Sequence, residues 1–155
     1  MPHISSRIVD LCVFRFLDDR PEYLLLKRSP DEDLYPGLWQ FISGTIEPEE
    51  RAADGAVREL REETALVPVE LWVAPHVSVF FDHARDTVNM SPMFVAEVGI
   101  RHEPRLSREH SEHIWVPFPD ARRRLVWPVH RTGLEIVHSF IVAGKDAAFF
   151  SRVPL

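Results

Sequence analysis

The sequence predicts an α+β fold or, in terms of layers, a mixed β-sheet flanked by helices. Three observations point there. Apolar, β-leaning runs stand on both sides of one amphipathic segment at 49–63. Turn clusters rich in Pro, Gly and Asp separate those runs. A further helical stretch follows Pro128, so the order is strands, helix, strands, helix. With 155 residues, the chain suits one domain, 1–155, around one core.

Each element has its own reason. Ile8 to Phe16 is rich in Ile, Val, Leu and Phe and reads as a strand. Asp18-Asp19-Arg20-Pro21 is a turn cluster, and Tyr23 to Lys27 returns as a second strand, so the two form a hairpin. Ser29 to Gly37 is a polar loop holding Pro30 and Pro36, and Trp39 to Ile46 is short and β-leaning. Pro48 is expected to open a helix running to about Glu63, with Glu49 and Glu50 at its positive end and Ala53, Ala56, Val57 and Leu60 on its apolar face. Pro68 lies beyond the end of that helix. Leu71 to Phe81 and Val88 to Ile100 read as a long strand pair joined at 82–86, in which Pro92 needs an edge, a strand start or a bulge. Ile114-Trp115-Val116 is a short strand, and Pro119 to Leu125 a short helix carrying three arginines. The last helix starts at Pro128 and turns Leu134, Val137, His138 and Ile141 to one side.

Bulk properties exclude several classes. Hydrophobic residues make up 45% and charged residues 27%, a globular balance. A formal net charge of -6 argues against binding a nucleic-acid polymer through its backbone, which Lys and Arg must neutralise. It leaves room for a small phosphorylated partner, because metal ions bring carboxylates and phosphates together. The lone cysteine, Cys12, lies in an apolar run and reads as buried and inert, with no disulfide and no Cys-based zinc site. No stretch approaches the roughly 20 apolar residues that span a bilayer, and the first seven residues lack the apolar run of a signal peptide. A cytoplasmic protein without membrane contact is expected.

The chemistry concentrates in Gly44 to Leu66, GTIEPEERAADGAVRELREETAL. At about 100° per helical residue, Glu59, Glu62 and Glu63 fall within one arc beside the apolar face. Carboxylates one turn apart repel by a few tenths of a kcal/mol, roughly, and a divalent cation reverses that sign. Hard oxygen ligands suit Mg²⁺ or Mn²⁺. By charge pattern alone, Arg51, Arg58 and Arg61 make a solvated, salt-bridged face the competing reading.

The wider spacing decides between them. Gly44 is followed after five residues by Glu50, and after seven more by Arg58-Glu59-Leu60-Arg61-Glu62-Glu63. This resembles the Nudix box: Gly, five residues, Glu, seven residues, Arg-Glu, an aliphatic, any residue, Glu-Glu, any residue, Gly and an aliphatic. Ala65 stands where the family has glycine. Trp39 to Glu47 is similar to the segment entering the box in members acting on dihydroneopterin triphosphate and deoxynucleoside triphosphates, as is Glu109-His110 with Trp115 six positions after Glu109.

The resemblance implies a Nudix fold, a mixed β-sheet sandwiched between α-helices. It implies a Mg²⁺-dependent (or Mn²⁺-dependent) hydrolase that splits a diphosphate linkage in a small nucleotide-like molecule, working as a monomer or homodimer. A nucleoside or pterin triphosphate leads. Diadenosine polyphosphates, nucleotide sugars and a non-catalytic nucleotide-sensing role are the alternatives.

By resemblance, Glu59 and Glu63 hold metal, and Glu62 is either a ligand or the base. The Ser43 carbonyl completes the metal site, and Arg58 orients Glu59. Glu109 completes the metal shell or acts as base, with Glu112 its rival. Glu50 matches a glutamate that holds the loop and reaches metal through water, and it joins Lys27, Arg28 and Trp39 as candidate substrate contacts. Arg85 is a further candidate for phosphate. Trp39 and Phe41 either stack on a base or pack in the core. His110 and His113, three apart, raise a zinc pair only weakly. Alanine at 65 costs roughly 1 kcal/mol if the left-handed conformation is kept there, or else the helix end shifts.

Overall fold

The computed structural model describes the backbone of residues 1–155 and every side chain except that of Lys145. Nine strands make one mixed sheet: β1 (His3–Ser5), β2 (Ile8–Leu17), β3 (Arg20–Arg28), β4 (Trp39–Gln40), β5 (Ile42–Thr45), β6 (Pro68–Asp82), β7 (Thr87–Val98), β8 (His110–Val116) and β9 (Arg152–Val153). The order along the main path is β4-β3-β2-β7-β6-β9, with β1 beside β7, β5 beside β2 and β8 beside β3. β2 and β1 each pair with β7 in parallel, and the other pairings are antiparallel.

The β2–β3 hairpin closes on Asp18 and Asp19, both at positive φ (48° and 61°), between the paired Leu17 and Arg20. A two-residue turn with both central φ positive follows the twist of the strands it joins, and Asp tolerates that region. β2 serves two partners. Phe14 to Leu17 pairs with β3, whereas Ile8 to Leu11 pairs with β5. The sheet therefore forks, and β5 brings Ser43 and Gly44 against Asp10 and Val9.

Alternation along the strands sends side chains to two cores. On one face, Val9, Leu11, Val13, Leu24, Leu26 and Ile42 pack with Ala56 and Leu60 of α1 (Ala52–Thr64). Fully burying one leucine such as Leu60 contributes about 1.5–3 kcal/mol. On the other face, Phe14, Tyr23, Phe41 and Met93 lie under Ala121 of α2 (Phe118–Arg124) and Leu134 of α3 (Pro128–Ile136). α3 runs on into a π-helical turn, Val137–Val142, which buries Val137 and Ile141. The expected sandwich of helices around a mixed sheet is the architecture found. α4 (Lys145–Ser151) leaves Phe149 and Phe150 exposed.

Several expectations need correction. The main helix begins at Ala52, not at Pro48. Glu49 sits at φ 66°, and residues 47–50 close a turn in which Glu50 N–H donates to the Glu47 carbonyl (3.1 Å) and Glu47 N–H to the Glu50 carboxylate (2.9 Å). Glu50 is thus occupied before it can act as a helix-terminal charge, and the acid in the first turn is Asp54. Pro68 lies beyond the helix end as expected, but β6 already starts there and not at Leu71. Pro92 lies at the register break where Val73 pairs with Phe94 and Val77 with Pro92, which is the bulge it needed. β1, α4 and β9 are additional to the expected elements.

Candidate active site

The box glutamates project from the second half of α1, and one arginine organises them. Arg58 Nε and Nη2 donate to the two oxygens of Glu50, each at 2.9 Å. Its Nη1 donates to Glu59 (2.8 Å) and Glu62 (3.2 Å), and Nη2 also reaches the carbonyl of Thr45 (2.9 Å). The planar fork of a guanidinium is suited to this; an ammonium is not. Arg58 therefore ties the loop entering the box to the acidic face of the helix. These bonds hold the Glu50 carboxyl down at about 2.

Glu59 lies against Gly44. A Cβ added there would stand 2.0 Å from Glu59 Cδ and 2.3 Å from Oε1, so only glycine leaves room for this carboxylate. Burial pushes the Glu59 pKa up; Arg58 opposes that, while Glu62 and Glu109 add to it. Glu63 is buried, and its Oε2 has no hydrogen-bond partner among the described residues. Burial first, then the charges of Glu109 and Glu59, drive its pKa up to about 9. Glu62 remains exposed beyond its bond to Arg58.

The chain at 103–110 closes on the end of α1. Arg105 N–H donates to the Thr64 carbonyl (2.8 Å) and Ser107 N–H to the Glu63 carbonyl (3.1 Å). This seats Glu109 where its charge bears on Glu59 and Glu63. Glu112, the rival, instead accepts from Lys27 Nζ at 2.9 Å. His110 is buried and turned inward. Its Nε2 is 3.1 Å from Gln40 Nε2, and its Nδ1 is 3.6 Å from Glu63 Oε2. Burial, then the charge of Arg28, lowers its pKa to about 4.

The remaining candidates divide. Arg28 acts on both Glu63 and His110 electrostatically while bonded to Glu32 and the Leu34 carbonyl. Lys27 lies elsewhere, 5.7 Å from the Trp39 ring centroid, and Arg124 stands 5.6 Å from the same ring. Trp39 is half-buried at the rim of the core, and Phe41 is wholly inside it, so stacking on a base is closed to Phe41. Arg85 belongs to the β6–β7 turn, bonded to Asp82, and is not gathered with the box. His110 and His113 do not converge, since His113 faces Glu103 at 3.4 Å. An odd separation on a strand sends side chains to opposite faces. Ala65 takes the left-handed conformation the box glycine would take, φ 59°, with its N–H on the Arg61 carbonyl.

Two polar groups escaped the sequence reading. Gln40 joins the site through His110. Asp10 is buried on the α3 side, 3.7 Å from His130 Nε2. A charged residue inside the apolar run 8–16 was the available signal for Asp10; Gln40 gave none.

The donor set fits a divalent cation. Glu63 presents a buried carboxyl group and Glu59 a partly buried one on the same helix, and Glu63 Oε2 has no partner within hydrogen-bond distance among the described residues. Among the described residues no three His, Cys, Asp or Glu side chains are already drawn together as a closed metal cage.

A NUDIX domain model matches residues 7–136, so the chain belongs to the Nudix family of hydrolases. The nucleoside triphosphatase NudI of Klebsiella pneumoniae (strain 342) is 26% identical over 113 residues, covering 68% of this chain and 80% of that protein. A C. elegans Ap4A hydrolase superposes with a TM-score of 0.74 at 21% identity, over 90% of this chain and 99% of that one. The NUDIX domain of Shewanella oneidensis NrtR, complexed with ADP ribose, gives 0.72 at 20% identity, over 90% and 88%. Among the described residues no helix is long and apolar enough to cross a membrane.

Proposed function

We propose that this Nudix hydrolase cleaves a diphosphate linkage in a nucleoside triphosphate or a similar pterin triphosphate, releasing a monophosphate and pyrophosphate. One observation carries the reading: the loop at 105–107 is bonded to the end of the helix that carries Glu59 and Glu63, and the charge of Glu109 in that loop bears on both acids. The similarity to a nucleoside triphosphatase supports the substrate class.

Glu59, Glu63 and the Ser43 carbonyl would hold Mg²⁺ or Mn²⁺, with Glu62 as a further ligand or as base. Such an ion, when bound, neutralises the diphosphate, lowers the pKa of water and stabilises the leaving oxygen. Arg58 keeps Glu59 oriented through the 2.8 Å bond and keeps the entering loop in place through Glu50. Glu109 would complete the metal shell or share with Glu62 the role of accepting the proton of the attacking water, because Glu59 is engaged by Arg58 and Glu63 is buried. Arg28 supplies positive charge beside Glu63 for a phosphate oxygen.

A panel of nucleoside triphosphates, pterin triphosphate, diadenosine polyphosphates and nucleotide sugars, read by phosphate release with and without added pyrophosphatase, tests this. Release from triphosphates only with pyrophosphatase is expected; no release from any diphosphate compound overturns the reading. Glu59→Gln should keep the fold and lower turnover at least about 100-fold. A nucleotide-sensing role, the second reading, would instead show tight binding without metal and no turnover.

A further inference from the structure

We propose that His110 is a positioning residue that fixes Glu63 through a hydrogen bond whose direction is set by Gln40. The inference rests on the reading of Glu63 as a cation ligand.

His110 opens β8 opposite Arg28 and is 5% exposed. Three elements meet at its ring: β4 through Gln40, α1 through Glu63, and β3 through the backbone ladder. The nitrogen of a glutamine amide only donates, so Gln40 Nε2 makes His110 Nε2 the acceptor at 3.1 Å. The ring proton of the neutral imidazole is then on Nδ1. That atom looks across 3.6 Å at Glu63 Oε2, and neither has another partner among the described residues. A donor and an acceptor, both buried, both unmet and face to face, need only a few tenths of an ångström to bond.

The consequence is selective. With Oε2 held by His110, the Glu63 carboxylate would be fixed in one orientation towards a cation. Partners of this kind behind a ligand typically carry about 10–100-fold in metal affinity. A histidine that only filled space would be replaced by phenylalanine without effect on the acid.

The first test needs no variant. The ¹⁵N shifts of the His110 ring in the metal-free protein should report Nδ1–H; a ring protonated on Nε2 alone overturns the proposal. The second measures Mn²⁺ affinity by EPR without substrate, alongside thermal melting. His110→Asn, whose amide nitrogen can occupy the Nδ1 position, should stay within a few-fold of wild type. His110→Phe should lose about 10–100-fold. His110→Gln, which reaches the Nε2 position instead, should resemble the Phe variant. Gln40→Glu offers an acceptor to Nε2, draws the ring proton to that nitrogen, and should weaken Mn²⁺ with His110 still present.

Equal Mn²⁺ affinity in wild type, His110→Phe and Gln40→Glu overturns the positioning role alone. A wild-type protein that binds no Mn²⁺ overturns the metal reading and the proposal with it. A Phe variant that melts early leaves the ring tautomer and Gln40→Glu to decide.

Discussion

Gly44→Ala is the sharpest perturbation the site allows. Gly44 does not use a left-handed φ, so its backbone accepts alanine. The obstruction is the new Cβ, 2.0 Å from Glu59 Cδ, where carbon atoms settle at about 3.5 Å. Glu59 must therefore retreat by about 1.5 Å. The Glu59 side chain is flexible, while the β5 backbone that carries position 44 is held in its ladder with β2, so the carboxylate moves and the fold stays. Metal ligands tolerate only about 0.2 Å. A displaced ligand should cost 10–100-fold or more, roughly, in metal affinity and in turnover. The lost Arg58–Glu59 bond is worth about 1 kcal/mol, partly offset by the stiffer unfolded chain. Urea unfolding should thus shift by about 1 kcal/mol or less, while Mn²⁺ titration and turnover collapse. A folded Gly44→Ala protein with near wild-type Mn²⁺ affinity and turnover would refute the claim that this contact sets the position of Glu59.

Other perturbations separate the remaining roles. Glu109→Gln should lower turnover more than Glu112→Gln, since Glu109 bears on Glu63 while Glu112 is held by Lys27; steady-state rates in the reverse order would contradict the loop's placement. Ala65→Gly should leave turnover alone and stabilise the protein by up to about 1 kcal/mol, because it relieves a left-handed alanine; a loss of stability in urea would show that alanine is comfortable there. Glu63 has a folded pKa of about 9 against the ordinary 4.5, so the native state keeps a proton that the unfolded chain releases. Stability of the metal-free protein from this group is therefore present below 4.5 and drains away as pH rises towards 9. In chelator, Glu63→Gln should gain on wild type across that window, and parallel unfolding curves for the two proteins would count against the buried, proton-holding carboxyl.

The parts legible in the sequence were those governed by local pattern. Apolar, β-leaning runs bounded by turn clusters gave β2, β3, β6 and β7, and the spacing of Ala56 and Leu60 gave the buried face of α1. The box spacing gathered Arg58, Glu59, Glu62 and Glu63. What escaped depended on partners distant in the chain or on competition between local signals. The turn at 47–50 defeated the Pro48 start because Glu50 is claimed by Arg58, eight residues on. Gln40 and His110 meet across 70 residues, and no periodicity marks such a pair. β1 and β9 are two or three residues long and exist only because β7 and β6 offer edges to them.

Arg58 concentrates risk. Glu59, Glu62 and the Thr45 carbonyl all draw on one guanidinium, which also takes both oxygens of Glu50, a carboxylate otherwise held by the Glu47 N–H alone. Lysine keeps the charge but cannot span these acceptors at once, and alanine frees the loop and the acids together. Position 58 is thus a single point of failure. Inactivity after its loss would not say which step failed, because the entry loop and both acids come adrift in the same event.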